Sequence, residues 1–345
     1  MTIYICPKFS SIKEGGAARD VAISNILAEH CELAFLSKNR LWNVVKIFYY
    51  MLAKSNNSII FRYPSIGVPL GFGIVRFLFC LILRFTQTKK RYIFDISDLP
   101  IEQSLDLELK IPHHYKTIER SIFNRRGFYI FASGSMRDYI CSKYRIISSS
   151  TTVWINGANS LKVVGITGLS SAFINDCDKR LKFVYAGTLN RGRQIEIVIE
   201  VFRQLKMGKL ILFGSGGDWL VNQNLPDNIF YLGSKEEEEA HYIVSLCDVG
   251  LIPYDESRFY YNIAYPTKLS FYISAGIPYL STPVKEVLAV QDEYDFGYIG
   301  CIGDWRTIIE GIRQDDLIIK KNKVSNNQSR FLWSNIIKPD ELELY

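Results

Sequence analysis

The chain has 345 residues, enough for two domains with a core each. At 48% hydrophobic and 22% charged residues the composition is that of a globular protein, which excludes a disordered or fibrous chain. The net charge of +6 is held unevenly, +11 over residues 1–180 and −5 over residues 181–345, so the first half suits an anionic surface or ligand, with no recognised nucleic-acid module beside it.

Residues 2–6 read as a buried strand with no charged leader or cleavage site before it, so no signal peptide is expected. A loop follows, then helix periodicity over 17–27. Gly15 and Gly16 lie at that strand-to-helix turn, where bare backbone can approach a ligand and a helix start favours an anion. Residues 41–54 form an amphipathic helix, and 58–62 a strand. Residues 70–85 are the most hydrophobic run, too short to span a bilayer comfortably and carrying Arg76. A buried domain helix is expected there. The alternative is an interfacial helix whose arginines, with Lys89, Lys90 and Arg91, meet lipid head groups.

The strand at 91–96 runs into Asp95, Asp98 and, soon after, Glu102. Carboxylates just past the C-terminal end of a parallel strand sit in the crevice above the sheet, although an aspartate there can also cap the next helix. A helix (115–124), a strand (128–132), a helix (133–143) and a strand (152–155) lead to Asn156-Gly157-Ala158-Asn159. Residues 161–182 read as a linker. Its Asp176-Cys177-Asp178 follows no apolar strand and is not expected to hold a metal. The seven cysteines are widely spaced with no CxxC pair, which argues against zinc and for free thiols in a reducing cytosol.

The strand at 181–186 ends in Gly187, and Arg191 and Arg193 follow on a loop where a guanidinium fork suits phosphate oxygens. A helix (194–205) and a strand (209–213) lead to Gly214, which lets the backbone near a ligand or simply turns the chain. A strand at 228–232 precedes Gly233, Ser234 and Lys235, and a helix spans 236–246. A strand at 249–252, a polar aromatic loop and a helix opened by Pro266 and stopped by Gly276-Ile277-Pro278 come next, then a strand at 279–281. The helix start, Pro266-Thr267-Lys268-Leu269, combines dipole, N–H groups and an ammonium at the crevice, a place for a phosphate-bearing ligand. A strand at 298–301 and helices at 305–313 and 326–337 complete the chain. The strand–helix alternation argues an α/β protein with two parallel-sheet domains.

The stretch IPY–loop–PTKLSFYISAGIP resembles the nucleotide-sugar-binding segment of GT-B glycosyltransferases, the family 4 type that builds bacterial surface polysaccharides. Their pattern is P-x-K-L-x-E-Y-x-A-x-G-x-P. Pro266, Lys268, Leu269, Tyr272, Gly276 and Pro278 match, while Phe271 stands where the glutamate is usual. The resemblance implies two Rossmann-like domains facing across a cleft: 1–165 on the acceptor side, with 326–345 packing back on it, and 180–325 binding the donor. It implies donor contacts from Gly15, Gly16, Gly187, Arg191, Arg193, Gly214, Gly233, Ser234, Lys235 and residues 266–269. Lys268 and Arg193 would take the charge of the leaving diphosphate without a metal or other cofactor, and Asp98 would be the base if the reaction inverts.

The implied function is transfer of a sugar, from a UDP-sugar by preference, to a lipid-linked or growing surface glycan. The expected place is the cytoplasmic face of the membrane, held peripherally through the basic half, with a homo-oligomer possible and no nucleic acid as partner. Two alternatives stay open: a non-catalytic glycosyltransferase-like partner, which the loss of the glutamate favours, and a nucleotide-sugar 2-epimerase.

Overall fold

The computed structural model describes residues 1–8, 15–55, 57–111, 113–164, 180–190, 193–205 and 208–343. The chain divides into two compact units. The first is Met1–Ser11, Arg19–Ile155 and Ile337–Tyr345; the second is Ile12–Ala18 and Asn156–Ile336.

In chain order the first strands and helices are β1 (Thr2–Pro7), α1 (Gly15–Leu27), β2 (Glu32–Leu36), α2 (Arg40–Leu52), β3 (Ser58–Tyr63), α3 (Gly73–Thr86) and β4 (Arg91–Ile96). Then come α4 (Pro100–Asp106), α5 (His113–Phe123), β5 (Phe128–Phe131), α6 (Gly134–Tyr144) and β6 (Thr151–Val153). The six strands are parallel in the order β2-β1-β3-β4-β5-β6. Strands such as TIYICP and SIIFRY are apolar almost throughout because helices cover both faces of such a sheet. The Asn39 carboxamide caps α2 by accepting from the Leu41 and Trp42 N–H groups, and Ser133 caps α6 by accepting from Met136.

Buried in this unit is a charged network. Asp95 of β4, fully buried, pairs with Arg19 at 3.0 Å and Arg62 at 3.4 Å; Arg62 also pairs with Asp20, and the Tyr4 hydroxyl donates to Asp95 at 3.3 Å. The last segment, Ile337–Tyr345, closes the same unit. Leu342 is buried, Arg91 donates to its carbonyl at 2.6 Å, and Glu341 accepts from the Thr152 hydroxyl and the Trp154 indole.

The second unit continues with β7 (Leu181–Ala186), α7 (Ile195–Arg203), β8 (Gly208–Phe213), α8 (Asp218–Val221), β9 (Ile229–Tyr231), α9 (Glu237–Ser245) and β10 (Val249–Ile252). It ends with α10 (Phe259–Ile263), α11 (Thr267–Ser274), β11 (Tyr279–Ser281), α12 (Lys285–Tyr294), β12 (Tyr298–Ile299), α13 (Trp305–Gly311), α14 (Gln314–Asn327) and α15 (Trp333–Ile336). Its parallel sheet has the order β12-β11-β10-β7-β8-β9, the doubly wound arrangement. Phe183, Leu210, Leu212, Val249, Leu251 and Trp305 are at its core.

Three sequence expectations change. The helix expected at 326–337 is α14, a 3₁₀ turn (Gln328–Phe331) and the short α15. The break has a cause: Leu332 turns extended and bridges Ala158, with Ala158 N–H donating to Phe331 O and Trp333 N–H to Ala158 O, both at 3.0 Å. Gly157 makes this possible, since a Cβ there would lie 2.8 Å from Ile336 and 3.0 Å from the Trp333 ring. The hydrophobic run at 70–85 is not one buried helix. It is a 3₁₀ turn (Pro69–Gly71) and then α3, whose Phe79 and Leu83 are buried while Ile74, Phe77, Leu78, Leu81 and Phe85 are exposed. The strand expected at 298–301 stops at Ile299. The Asp176-Cys177-Asp178 segment lies outside the described residues.

Candidate functional site

A doubly wound sheet opens a crevice where its strand order reverses, outside the carboxyl ends of the strands. In the second unit the reversal falls between β7 and β10, which end at Ala186 and Ile252. Lys268, the second residue of α11, reaches over both ends. Its ammonium lies 4.7 Å from the Tyr185 ring centre and 5.7 Å from that of Tyr254. Gly187, the first residue past β7, has φ of +139°, and a Cβ on it would stand 2.8 Å from Lys268 Cε and Nζ. Only glycine leaves the lysine its place. Burial, with the nearby Arg193 charge, pushes the Lys268 amine down to about 7. Among the described residues no carboxylate pairs with it. A cation held among ring faces and beside a second cation is electrostatically ready for an anion.

The helix carrying Lys268 is fixed by one tyrosine. The Tyr272 hydroxyl donates to Leu251 O and accepts from Ala186 N–H, both at 3.1 Å, so it ties α11 to β10 and β7 together. Gly250 in β10 admits the ring: a Cβ there would be 2.2 Å from a Tyr272 ring carbon. Pro266 occupies the N-cap of α11 with no side-chain cap, leaving the N–H groups of Thr267 and Lys268 at the helix start. Leu269 differs from expectation. Its N–H bonds to Pro266 O at 2.9 Å and its side chain is fully buried, so it is a core residue under the site.

Three expected glycines start neighbouring loops on one rim of this sheet. Gly187 N–H donates to Phe213 O at 3.0 Å and Gly214 N–H to Gly233 O at 2.9 Å. A Cβ on Gly214 would lie 1.9 Å from Gly187 O, while Gly233 faces open space. Ser234 is exposed beside it, and Lys235 is held by Glu239 at 2.9 Å. Arg193 stands just before α7; Arg191 lies outside the described residues.

Gly15 and Gly16, which group with the second unit, are the first residues of α1, two residues earlier than the periodicity suggested. The three carboxylates in and just after β4 part company. Asp95 is enclosed by two arginines. Glu102 is buried, accepting from the Tyr139 hydroxyl at 2.9 Å and from Lys143 at 2.7 Å. Asp98 stays partly exposed just beyond β4, one residue before the Leu99 N-cap of α4.

Phe271, at the family's glutamate position, stacks on His241 of α9 with ring centres 4.7 Å apart. His241 Nε2 lies 2.9 Å from Ser274 Oγ, and burial pushes its pKa down to about 4, so it is neutral. Sequence reading did not mark Tyr185 or Tyr254 as site residues. The tyrosines had a signal, an aromatic residue at each of two adjacent strand ends. The His241–Phe271 stack had none, since its members sit on separate helices.

No family model matches the sequence, and no curated protein matches it significantly by sequence. Solved structures match along nearly the whole chain. Sucrose-phosphate synthase from Thermosynechococcus elongatus is 15% identical with a TM-score of 0.68, over 99% of this chain and 97% of that one. Anabaena HepE, solved in complex with UDP, is 12% identical with a TM-score of 0.69, over 100% and 99%. WaaG, a glycosyltransferase involved in lipopolysaccharide biosynthesis, is 12% identical with a TM-score of 0.64, over 100% and 99%. The chain therefore has the fold of the GT-B glycosyltransferases.

Proposed function

We propose that this chain is a glycosyltransferase that moves a sugar from a nucleotide diphosphate sugar, UDP-linked by preference, to a glycan growing on a lipid carrier. The observation that carries the proposal is Lys268: a partly desolvated ammonium at the strand-order reversal, over a glycine that makes room for it, at the start of a helix. HepE, which shares the fold, has been solved with UDP and with UDP-glucose, and this supports the choice of donor.

In this reading the acceptor hydroxyl attacks the anomeric carbon and the bond to the diphosphate breaks. Lys268, Arg193 and the Thr267 end of α11 take up the charge on the leaving diphosphate. Gly187, Gly214 and Gly233 let the donor lie close to backbone. If the reaction inverts, Asp98 accepts the hydroxyl proton, the role for which its competitors Asp95 and Glu102 are too deeply buried. The acceptor's lipid brings the basic first half of the chain to a membrane from the cytoplasmic side, where the protein stays peripheral.

The experiment is a thermal-shift screen against UDP, GDP, CMP and TDP and their sugars, repeated on Lys268→Ala. Binding to the folded state raises the melting temperature by mass action. A shift with UDP compounds, lost in Lys268→Ala, supports the donor site; release of UDP with a lipid-linked glycan then supports transfer. No shift with any of them in folded protein overturns the reading. One observation favours a second reading, a partner that binds donor without turnover: Phe271, stacked on His241, gives no carboxylate where the family pattern has one. Nucleotide binding with no transfer to any acceptor would support it.

A further inference from the structure

Helices on a parallel sheet need one apolar face, and α2 and α3 have two. Their inner faces bury Ile47 and Met51, and Phe79 and Leu83. On the opposite face of α3, Ile74, Phe77, Leu78, Leu81 and Phe85 are exposed at helical spacing, Phe77 by 65% and Phe85 by 69%. On α2, Leu41, Trp42, Val45, Tyr49 and Leu52 repeat the pattern, with Trp42 exposed by 57%. The two helices lie against each other, so the stripes join into one surface larger than isolated apolar side chains explain.

Along α2 and α3 themselves the charge has one sign, while Glu32 of β2, just before them in sequence, accepts from the Tyr50 hydroxyl of α2 at 2.9 Å. From Leu33 to Phe94 the sequence holds no aspartate or glutamate and ten lysines and arginines. Arg62 is the one buried in the core network; Lys38, Arg40, Lys54, Arg84 and Lys89 are exposed. Next to α3, where Cys80 Sγ meets Ser121 Oγ at 2.9 Å, α5 carries a groove of about 500 Å³ lined by His113, Lys116, Arg120 and Arg125. At 14 residues α3 is about 21 Å long, short of the roughly 30 Å bilayer core, and no described helix is long and apolar enough to cross a membrane.

We propose that the joined outer faces of α2 and α3 lie in the surface of an anionic bilayer, their apolar stripes among the acyl chains and the surrounding cations, with those of the α5 groove, on lipid phosphates. An apolar stripe flanked by cations and free of acids fits an interfacial helix pair. A second copy of this chain would bring the same cations face to face, and that repulsion favours the bilayer. The proposal deepens the membrane contact of the proposed function and rests on that reading; it does not depend on transfer.

The test is co-sedimentation with vesicles of phosphatidylcholine alone and of phosphatidylcholine with phosphatidylglycerol, with no nucleotide present. The native chain should pellet with the anionic vesicles. The triple variant Ile74→Ser, Phe77→Ser, Phe85→Ser, whose substitutions are all exposed, should lose about tenfold or more in binding. Lys116→Glu with Arg120→Glu should weaken binding to anionic vesicles. In the native chain acyl-brominated lipid should quench Trp42 fluorescence, and Trp42→Phe should remove that quenching. Each variant keeps the UDP thermal shift, so loss of lipid binding is separable from loss of the donor site. No binding of the native chain, equal binding by the triple variant, or a lipid-free dimer that the triple variant abolishes would overturn the proposal, the last by assigning the face to a second copy.

Discussion

A lysine with its pKa near 7 changes what ligand binding does to protons. Without ligand the folded value lies below the ordinary 10.5, so between pH 7 and that value the unfolded chain holds a proton that the folded one has lost. Ligand-free stability from this group therefore rises with pH across that window. A bound diphosphate restores the ammonium, so UDP binding at pH 8 should take up a proton. Calorimetry in two buffers of different ionisation enthalpy measures it; native protein should show uptake and Lys268→Ala close to none. The same residue shows what sequence reveals of a site. Lys268 stands in a recognisable pattern, so its place was legible. Its aromatic bed and shifted proton affinity depend on Tyr185 and Tyr254, which only folding brings beside it.

At the level of elements, α11 owes its position to one glycine. Gly250→Ala puts a methyl group into the Tyr272 ring within a buried strand. Tyr272 must then leave its bonds to Ala186 and Leu251, and the cost should be about 1–3 kcal/mol or more. The variant should melt lower and show a smaller UDP shift than native protein when compared by thermal shift with nucleotide. Sheet strands were the most legible elements, because strands covered on both sides read as unbroken apolar runs. Edge strand β2, less buried than its neighbours, was not marked, and neither was α12. The last helix was misplaced because its break is set by a tertiary bridge from Leu332 to Ala158, which local periodicity does not carry.

For the whole chain, two doubly wound sheets follow from the strand–helix rhythm, and the division of charge follows from composition. What stayed hidden was charge inside the first unit. Arg62 reads as one more member of a basic stretch, yet it holds two buried carboxylates. Arg62→Met should leave Asp20 and Asp95 with Arg19 alone and cost about 3–5 kcal/mol, read as a lower urea midpoint. Lowering the pH should recover part of the loss, because burial already raises the pKa of Asp20.

The placing of Ile337–Tyr345 in the first unit also sets an order of events on the ribosome. Most of that unit is synthesised before residues 156–336 of the second, and its remaining piece after them. While the other unit's residues emerge, the seat of Leu342 stands open and the Arg91 and Trp154 groups that meet this segment wait for it. A chain halted after Ile336 should therefore hold a finished second unit beside a protease-sensitive first one. A fusion that displaces Ile337–Tyr345 should harm the first unit rather than the second, which it follows in sequence.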